Sequence, residues 1–246
     1  MAERLQKRIA ETGLCSRRQA EAMIAAGRVT VNGAPAVLGM STEPEDIVCL
    51  DGKPIGVRPE KCYIMLNKPR GFVTTAQDEK GRPTVLSLLS GLETRVYPVG
   101  RLDMFSEGLL LLTNDGELTK FLTHPSHRVV KQYQVRVCGD VDAGLRVLRA
   151  PMELDGRPLS PCRVRVLHRS GESTLLLFEI TEGRNRQIRR MCEKASLRVV
   201  RLRRIAEGGV RLGDLPEGQW RHLTPEEVGM LKEMQELHDP CKNRAD

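Results

Sequence analysis

Asp103 is the residue of this chain best placed to do chemistry. It lies in the segment YPVGRLDMFSEGLLLLTNDGEL (97–118), in a polar loop after Gly100-Arg101 and just before a run of four leucines, 109–112. A carboxylate there is carried by a rigid element, as a reactive group should be. Arg101, two residues away, can keep it ionised. Such a group can serve as a nucleophile or stabilise developing positive charge. The commoner arrangement is a turn Asp that satisfies nearby backbone N–H groups, and both readings fit the local residues. Asp115, twelve positions on, opens a third, a metal-dependent nuclease. Two acids so far apart across a buried strand make no evident two-metal cluster.

The second chemical signal is basic. Residues 184–204 hold nine of the 39 Lys and Arg but one of the 32 Asp and Glu. The rest of the chain carries 30 basic against 31 acidic residues, so the whole excess of +7 sits in this stretch. A solvated helix face normally alternates sign; this stretch does not, which favours a polyanionic partner. Arg186 and Arg190 point away from the apolar stripe there, and Arg189 sits at its border. A smaller group, Arg4, Lys7, Arg8, Arg17, Arg18 and Arg28, falls on or beside two short N-terminal helices. Arg4, Lys7 and Arg8 have the i, i+3, i+4 spacing of one helix face. Guanidiniums so arranged match phosphate geometry, and a merely solubilising face would look the same.

Aromatic residues are only 3% of the chain, so Tyr133 beside a basic motif is informative. It is either a core aromatic of its strand or a ring that meets a ligand. The seven cysteines (15, 49, 62, 138, 162, 192, 241) occur singly, with none of the paired spacing that a zinc cluster or disulfide framework needs. They are expected as reduced structural thiols. GxxxxGK[ST] and GxGxxG motifs are missing. No run approaches the ~18 apolar residues of a membrane helix, and residues 1–10 lack the apolar core of a signal peptide. A soluble, cytoplasmic protein with no membrane contact is predicted.

The elements that must position these groups follow from periodicity. Leu5, Ile9 and Ala10 have helical spacing; Ser16 with Gln19 forms a capping box for a second helix, which Gly27 stops. Val29 and Val31 at strand spacing, then Asn32-Gly33, predict a hairpin, with 34–38 as an edge strand because of Pro35. Residues 47–55 close this unit, and 56–61 read as a linker. Beyond it, 62–66 is a strand running into the loop 67–71, 77–83 a polar loop, and 85–89 a short helix. The leucine run is a buried strand that Asn114-Asp115-Gly116 turns into a helix. Residues 133–138 alternate as a half-buried strand does, and 175–180 form another. Asn185 is expected to cap a helix whose stripe is Ile188, Met191, Cys192 and Ala195. The strand 199–205 keeps Arg201 and Arg203 on one face. Thr224 with Glu227 caps a last helix, and 239–246 is a loose tail. The mixture predicts an α+β chain with a largely antiparallel mixed sheet.

RLQKRIAETGLCSRRQAEAMIAAGRVTVNG, near the N-terminus, resembles the S4 RNA-binding domain, most specifically in SRRQAE and GRVTVNG. GRLD followed by SEGLLLLTNDGEL, together with LNKPRG (66–71), KQY (131–133) and EGRNRQIRRM (182–191), resembles the RsuA-type family of ribosomal RNA pseudouridine synthases, in that family's order. The resemblance implies an S4 domain over 1–57 and a pseudouridine synthase domain over 61–238. It implies that Asp103 is the catalytic aspartate, that Tyr133 lies against the target base, that Arg189 pairs with Asp103, and that Ile188 supplies an apolar wall. Arg101 joins them in binding substrate.

Pseudouridine formation detaches uracil from C1′, turns it, and rejoins it through C5. As an isomerisation it needs no metal, nucleotide or redox cofactor, and none is expected. The expected partner is ribosomal RNA or a pre-ribosomal particle, 23S rather than 16S, with the protein a monomer. The rival reading is an RNA-binding or ribosome-assembly factor without catalysis, which has no reason to assemble the GRLD, KQY and QIR set.

Overall fold

The computed structural model describes residues 2–76 and 78–238. The start of the polar loop at Gln77, the tail 239–246 and Cys241 lie outside the described residues. The described residues form two compact units, one of residues 2–62 with 92–95, the other of residues 63–76, 78–91 and 96–238.

In the first unit, β1 (Glu3–Arg4) leads into α1 (Leu5–Glu11) and α2 (Arg17–Ala25). The Ser16/Gln19 capping box is present, and Gly27 follows the helix end at φ +69°. Strands β2 (Val29–Val31), β3 (Ala34–Pro35), β5 (Val48–Leu50) and β6 (Lys53–Pro54) form a sheet in the order β3-β2-β5-β6, while β4 (Ser41–Thr42) pairs with β1. β3 is an edge strand, and Asn32 and Gly33 turn the hairpin at φ +51° and +82°. Leu5, Ile9, Ala20, Ile24, Val29 and Val48 bury their side chains together as this unit's core.

The second unit is built on nine strands, again among the described residues. β7 (Tyr63–Lys68), β9 (Glu107–Thr113), β10 (Lys131–Cys138), β13 (Arg163–Ser170), β14 (Ser173–Ile180), β15 (Arg198–Glu207) and β17 (Trp220–His222) run in the order β13-β14-β10-β15-β9-β7-β17. β8 (Tyr97–Pro98) pairs with β9, and β16 (Val210–Arg211) with β15. β11 (Glu153–Leu154) and β12 (Arg157–Pro158) make a separate hairpin. Among the described strands of this sheet, β9 and β15 alone pair in parallel, through Arg203 with Glu107 and Arg204 with Gly108. The sheet is thus mixed and largely antiparallel, as predicted.

Helices cover the two faces at different ends. α3 (Gly116–Thr123) and α6 (Pro225–Leu237) bury Leu118, Phe121, Leu122 and Leu231 with Leu109 and Leu111 of β9. α4 (Val141–Arg149) packs near β13, and α5 (Gln187–Lys194) near β15. β9 is buried along its whole length, residues 107–113. Burying its four leucines contributes about 1.5–3 kcal/mol each, which makes it a stiff post for the loop before it.

Several expectations change. The edge strand expected over 34–38 covers only Ala34–Pro35. The strand predicted over 62–66 continues through Asn67 and Lys68, because their backbone pairs with Leu109 and Gly108. Pro69, with no N–H to give, ends the pairing. Arg4 is not on the face of α1: it precedes the helix with extended backbone and pairs with Ser41.

Candidate active site

Asp103 lies in a loop whose carbonyl groups are all held. Thr74 Oγ1 donates to Leu102 O at 2.8 Å, and Ser106 N to Asp103 O at 2.9 Å. Gly71 N donates to Met104 O at 2.8 Å, and Arg189 Nη2 to Phe105 O at 2.8 Å. Lys68 Nζ reaches Asp103 O at 3.2 Å and Ser106 O at 2.8 Å, and also Pro69 O at 3.0 Å. Five successive carbonyls, 102–106, are therefore tied to β7, the turn after it, Thr74 and α5. The Asp103 carboxylate, in contrast, accepts no hydrogen bond among the described residues. It caps no turn.

Lys68 is completely buried, which is unusual for a cation. Burial pulls its pKa down to about 8, against the opposing charges of Asp103, Glu107 and Glu217. Arg189 is half-buried; burial lowers its pKa too, and Asp103 is the first charge that resists. Asp103 thus lies in the field of one fully buried and one half-buried cation, where Coulomb interactions are stronger than in water. Arg189 does this without a direct ion pair to Asp103 among the described residues: its hydrogen bond goes to Phe105 O.

Asp103 borders a cleft of about 240 Å³ lined also by Arg101, Tyr133, Arg186, Ile188 and Leu202, among others. Tyr133 projects from the helix-covered face of β10, where it pairs with Phe178 on one side and Arg204 on the other. It is both a core aromatic and a wall of the cleft. Burial holds its phenol above the usual pKa, partly opposed by the charge of Arg204 on the neighbouring strand. Arg204 and Glu207 are themselves 2% and 1% exposed. Arg204 donates from Nε to Leu109 O at 2.8 Å and stands 3.1 Å from Glu207 Oε2, out of line for a hydrogen bond. Lys131 Nζ approaches Glu207 from the other side at 3.8 Å. A buried pair, Arg204 with Glu207, thus stands beside Tyr133.

The approach of β9 to β15 that brings Arg204 to this place depends on Gly108. Its φ is +100°, and a Cβ there would lie 2.2 Å from Arg204 O. Only glycine fits both the backbone and the gap.

The structure brings Asp103, Arg101, Tyr133, Ile188 and Arg186 to one cleft, with Arg189 adjoining through Phe105. Ile188 is buried in the first turn of α5, on the predicted stripe with Met191, Cys192 and Ala195. Burial pushes the Cys192 thiol up to about 12, as for an inert core residue. The cap of α5 is not Asn185 but Arg186, at φ +50°, because Gln187 Oε1 turns back to accept from Arg184 N at 2.9 Å. Arg190 points elsewhere, paired with both carboxylate oxygens of Asp155.

In the other unit, several arginines are already engaged. Arg8 donates to the carbonyls of Glu43, Pro44 and Asp46; Arg28 forks onto Asp51; Arg4 bonds Gly39 O; Lys7 approaches Glu11 at 3.7 Å. Arg17 and Arg18 are exposed and have no such partner among the described residues. Sequence reasoning missed Lys68, Thr74, Arg204 and Glu207. For Arg204 a signal existed: strand alternation puts it opposite Arg203, on the face of Leu202.

Comparison with known proteins fits this geometry. The RNA pseudouridylate synthase family model matches residues 62–194, and the S4 domain model residues 3–48. The chain is 39% identical to a ribosomal large subunit pseudouridine synthase B of Bacillus subtilis, covering 98% of this chain and 99% of that one. It is 42% identical to an uncharacterized RNA pseudouridine synthase of Aquifex aeolicus over 94% of each. A pseudouridylate synthase crystal structure superposes with a TM-score of 0.66 at 30% identity, covering 93% of this chain and 99% of that one. The chain belongs to the RNA pseudouridylate synthase family, as an enzyme with an S4 domain preceding its synthase domain.

Proposed function

We propose that this enzyme converts a specific uridine of large-subunit (23S) ribosomal RNA to pseudouridine, with Asp103 as the catalytic carboxylate. The relative in Bacillus subtilis named as a large-subunit synthase supports the choice of RNA. The role of Asp103 rests on one observation: a loop bonded at five successive carbonyls carries, at the edge of a cleft, a carboxylate with no hydrogen bond among the described residues.

The target uridine must leave its stack to reach that cleft, at a cost of about a few kcal/mol. Stacking on Tyr133 offsets roughly 1–3 kcal/mol of it, and Ile188 and Leu202 give the base an apolar wall. The C1′–N1 bond breaks, the base turns, C1′–C5 forms, and the C5 proton passes to N1. A carboxylate at this point can begin the sequence by attack at C1′, by attack at C6, or by taking a sugar proton. All atoms and electrons remain in the substrate, so the residues suffice. Arg101, Arg186, Arg17 and Arg18 hold phosphates. Residues 1–57 act as the RNA grip and 61–238 as the catalytic domain of a cytoplasmic monomer that acts on ribosomal RNA or a pre-ribosomal particle.

The test is Asp103→Asn. The variant should fold, bind ribosomal RNA with unchanged affinity and form no pseudouridine; turnover in it would overturn the assignment. Mapping pseudouridines in cells with and without the protein should show one 23S position lost.

A further inference from the structure

The sheet of the synthase unit has a second charged surface, on the face opposite Tyr133. Cross-strand register assigns its residues. Gln134 of β10 stands opposite Arg203 and Leu177; Arg136 stands opposite Arg201 and Leu175; Cys138 stands opposite Arg198. β13 then adds Arg165 beside Leu177, Arg163 beside Glu179 and His168 beside Leu175. Arg163, Arg165, His168, Arg198 and Arg201 are exposed. Six arginines from three strands share one face, against the carboxylates of Glu179 and the buried Glu107, with Asp214 and Glu217 beside Arg201 and Arg203 at its β9 end.

Their engagement is light. Arg201 pairs with Glu107, Arg136 bonds Ser173 Oγ at 3.1 Å, and Arg165 stands 4.0 Å from Glu179. Arg163, Arg198 and Arg203 have no hydrogen-bond or ion-pair partner among the described residues. Arg136 directly opposite Arg201 costs the sheet stability, as like charges across a strand pair do. From Arg165 to Arg203 the row crosses three strand spacings, roughly 14 Å. No Phe, Tyr or Trp occurs among the strand residues of this face. A protein interface is enriched in aromatic anchors, and a single strand binds by stacking its bases on them. Double-helical RNA needs neither, because it is held through phosphates and shape.

We infer that this open face of β13, β14, β10 and β15 is a docking surface for the backbone of an RNA double helix, separate from the cleft at Asp103. It extends the RNA-directed reading, and its test uses binding alone, so it stands or falls apart from the role of Asp103.

The experiment uses the full chain carrying Asp103→Asn, with and without Arg136→Gln, Arg163→Gln and Arg165→Gln together. The probes are an RNA duplex of about two helical turns, a single strand of the same length, and polyglutamate as competitor, over a range of salt. The triple variant should keep its thermal midpoint, bind the duplex about tenfold or more weakly, and lose about three from its salt slope, one per phosphate contact. Single-strand binding should change far less. Unchanged duplex affinity and slope would overturn the inference, as would an equal loss for the single strand. Polyglutamate that binds the parent tightly and the triple variant weakly, while duplex affinity stays the same in both, would assign the face to an acidic protein instead.

Discussion

The ammonium of Lys68 donates to the backbone carbonyl of Asp103, 3.2 Å away, from a position with no solvent exposure. A buried cation is costly unless fully bonded, and here its partners are the carbonyls of the loop that presents the carboxylate. Lys68 therefore sets both the shape of that loop and the field around Asp103.

Lys68→Met should leave RNA affinity close to that of the parent and lower kcat by about 100-fold or more, the scale expected when a reacting group shifts by ~1 Å. Single-turnover kinetics with saturating RNA checks it; a kcat within a few-fold of the parent would remove Lys68 from this role.

The pH dependence has a defined sign. Lys68 titrates at about 8 in the fold, below the 10.5 of an unburied lysine. Between these values the unfolded chain binds more protons, so stability from this group rises with pH and is constant below about 8. Activity should move the other way, because the deprotonated amine loses its charge and one donor. A falling kcat/KM limb near pH 8, paired with a rising denaturation midpoint and absent in Lys68→Met, is the expected signature.

Gly108→Ala should unfold or severely destabilise the protein, by about 3 kcal/mol or more, through a Cβ pressed against Arg204 O at positive φ. Thermal unfolding measures this. An ordinary midpoint would mean that β9 and β15 can separate without harm.

Arg204→Met should also be destabilising, by roughly 3–5 kcal/mol, since it strands the buried Glu207 carboxylate. Adding Glu207→Gln should recover part of that loss in a double-mutant cycle, because the two groups are coupled.

Arg186→Gln, and Arg17→Gln with Arg18→Gln, should each lower the salt slope of RNA binding by about one per residue. Arg28→Gln and Arg190→Gln should not, since these guanidiniums already fork onto Asp51 and Asp155. Filter binding across a salt series separates the two groups.

Local signals carried much of the fold. Both capping boxes, the Asn32-Gly33 hairpin, the Pro35 edge strand, the buried leucine strand and the stripe of α5 each depend on residues near one another in the chain, so they were readable from it. α4 and β13 went unread, although Val141, Leu145 and Leu148 have helical spacing behind the Asp140 cap and Val164 and Val166 alternate with arginines. The cap at Arg186 was missed because a side chain of the next residue, Gln187, decides it.

What the chain by itself determined was the class of enzyme: ordered motifs, an excess of charge in one stretch, and a carboxylate between a polar loop and a buried strand. What only the tertiary structure decided was what surrounds that carboxylate. Lys68 and Asp103 are 35 positions apart, and Arg189 and Phe105 are 84 apart. The scattered arginines 136, 163 and 165 join 198, 201 and 203 only through strand register. Burial and hydrogen bonding between distant residues have no period in sequence, so they become legible only when the sheet is assembled.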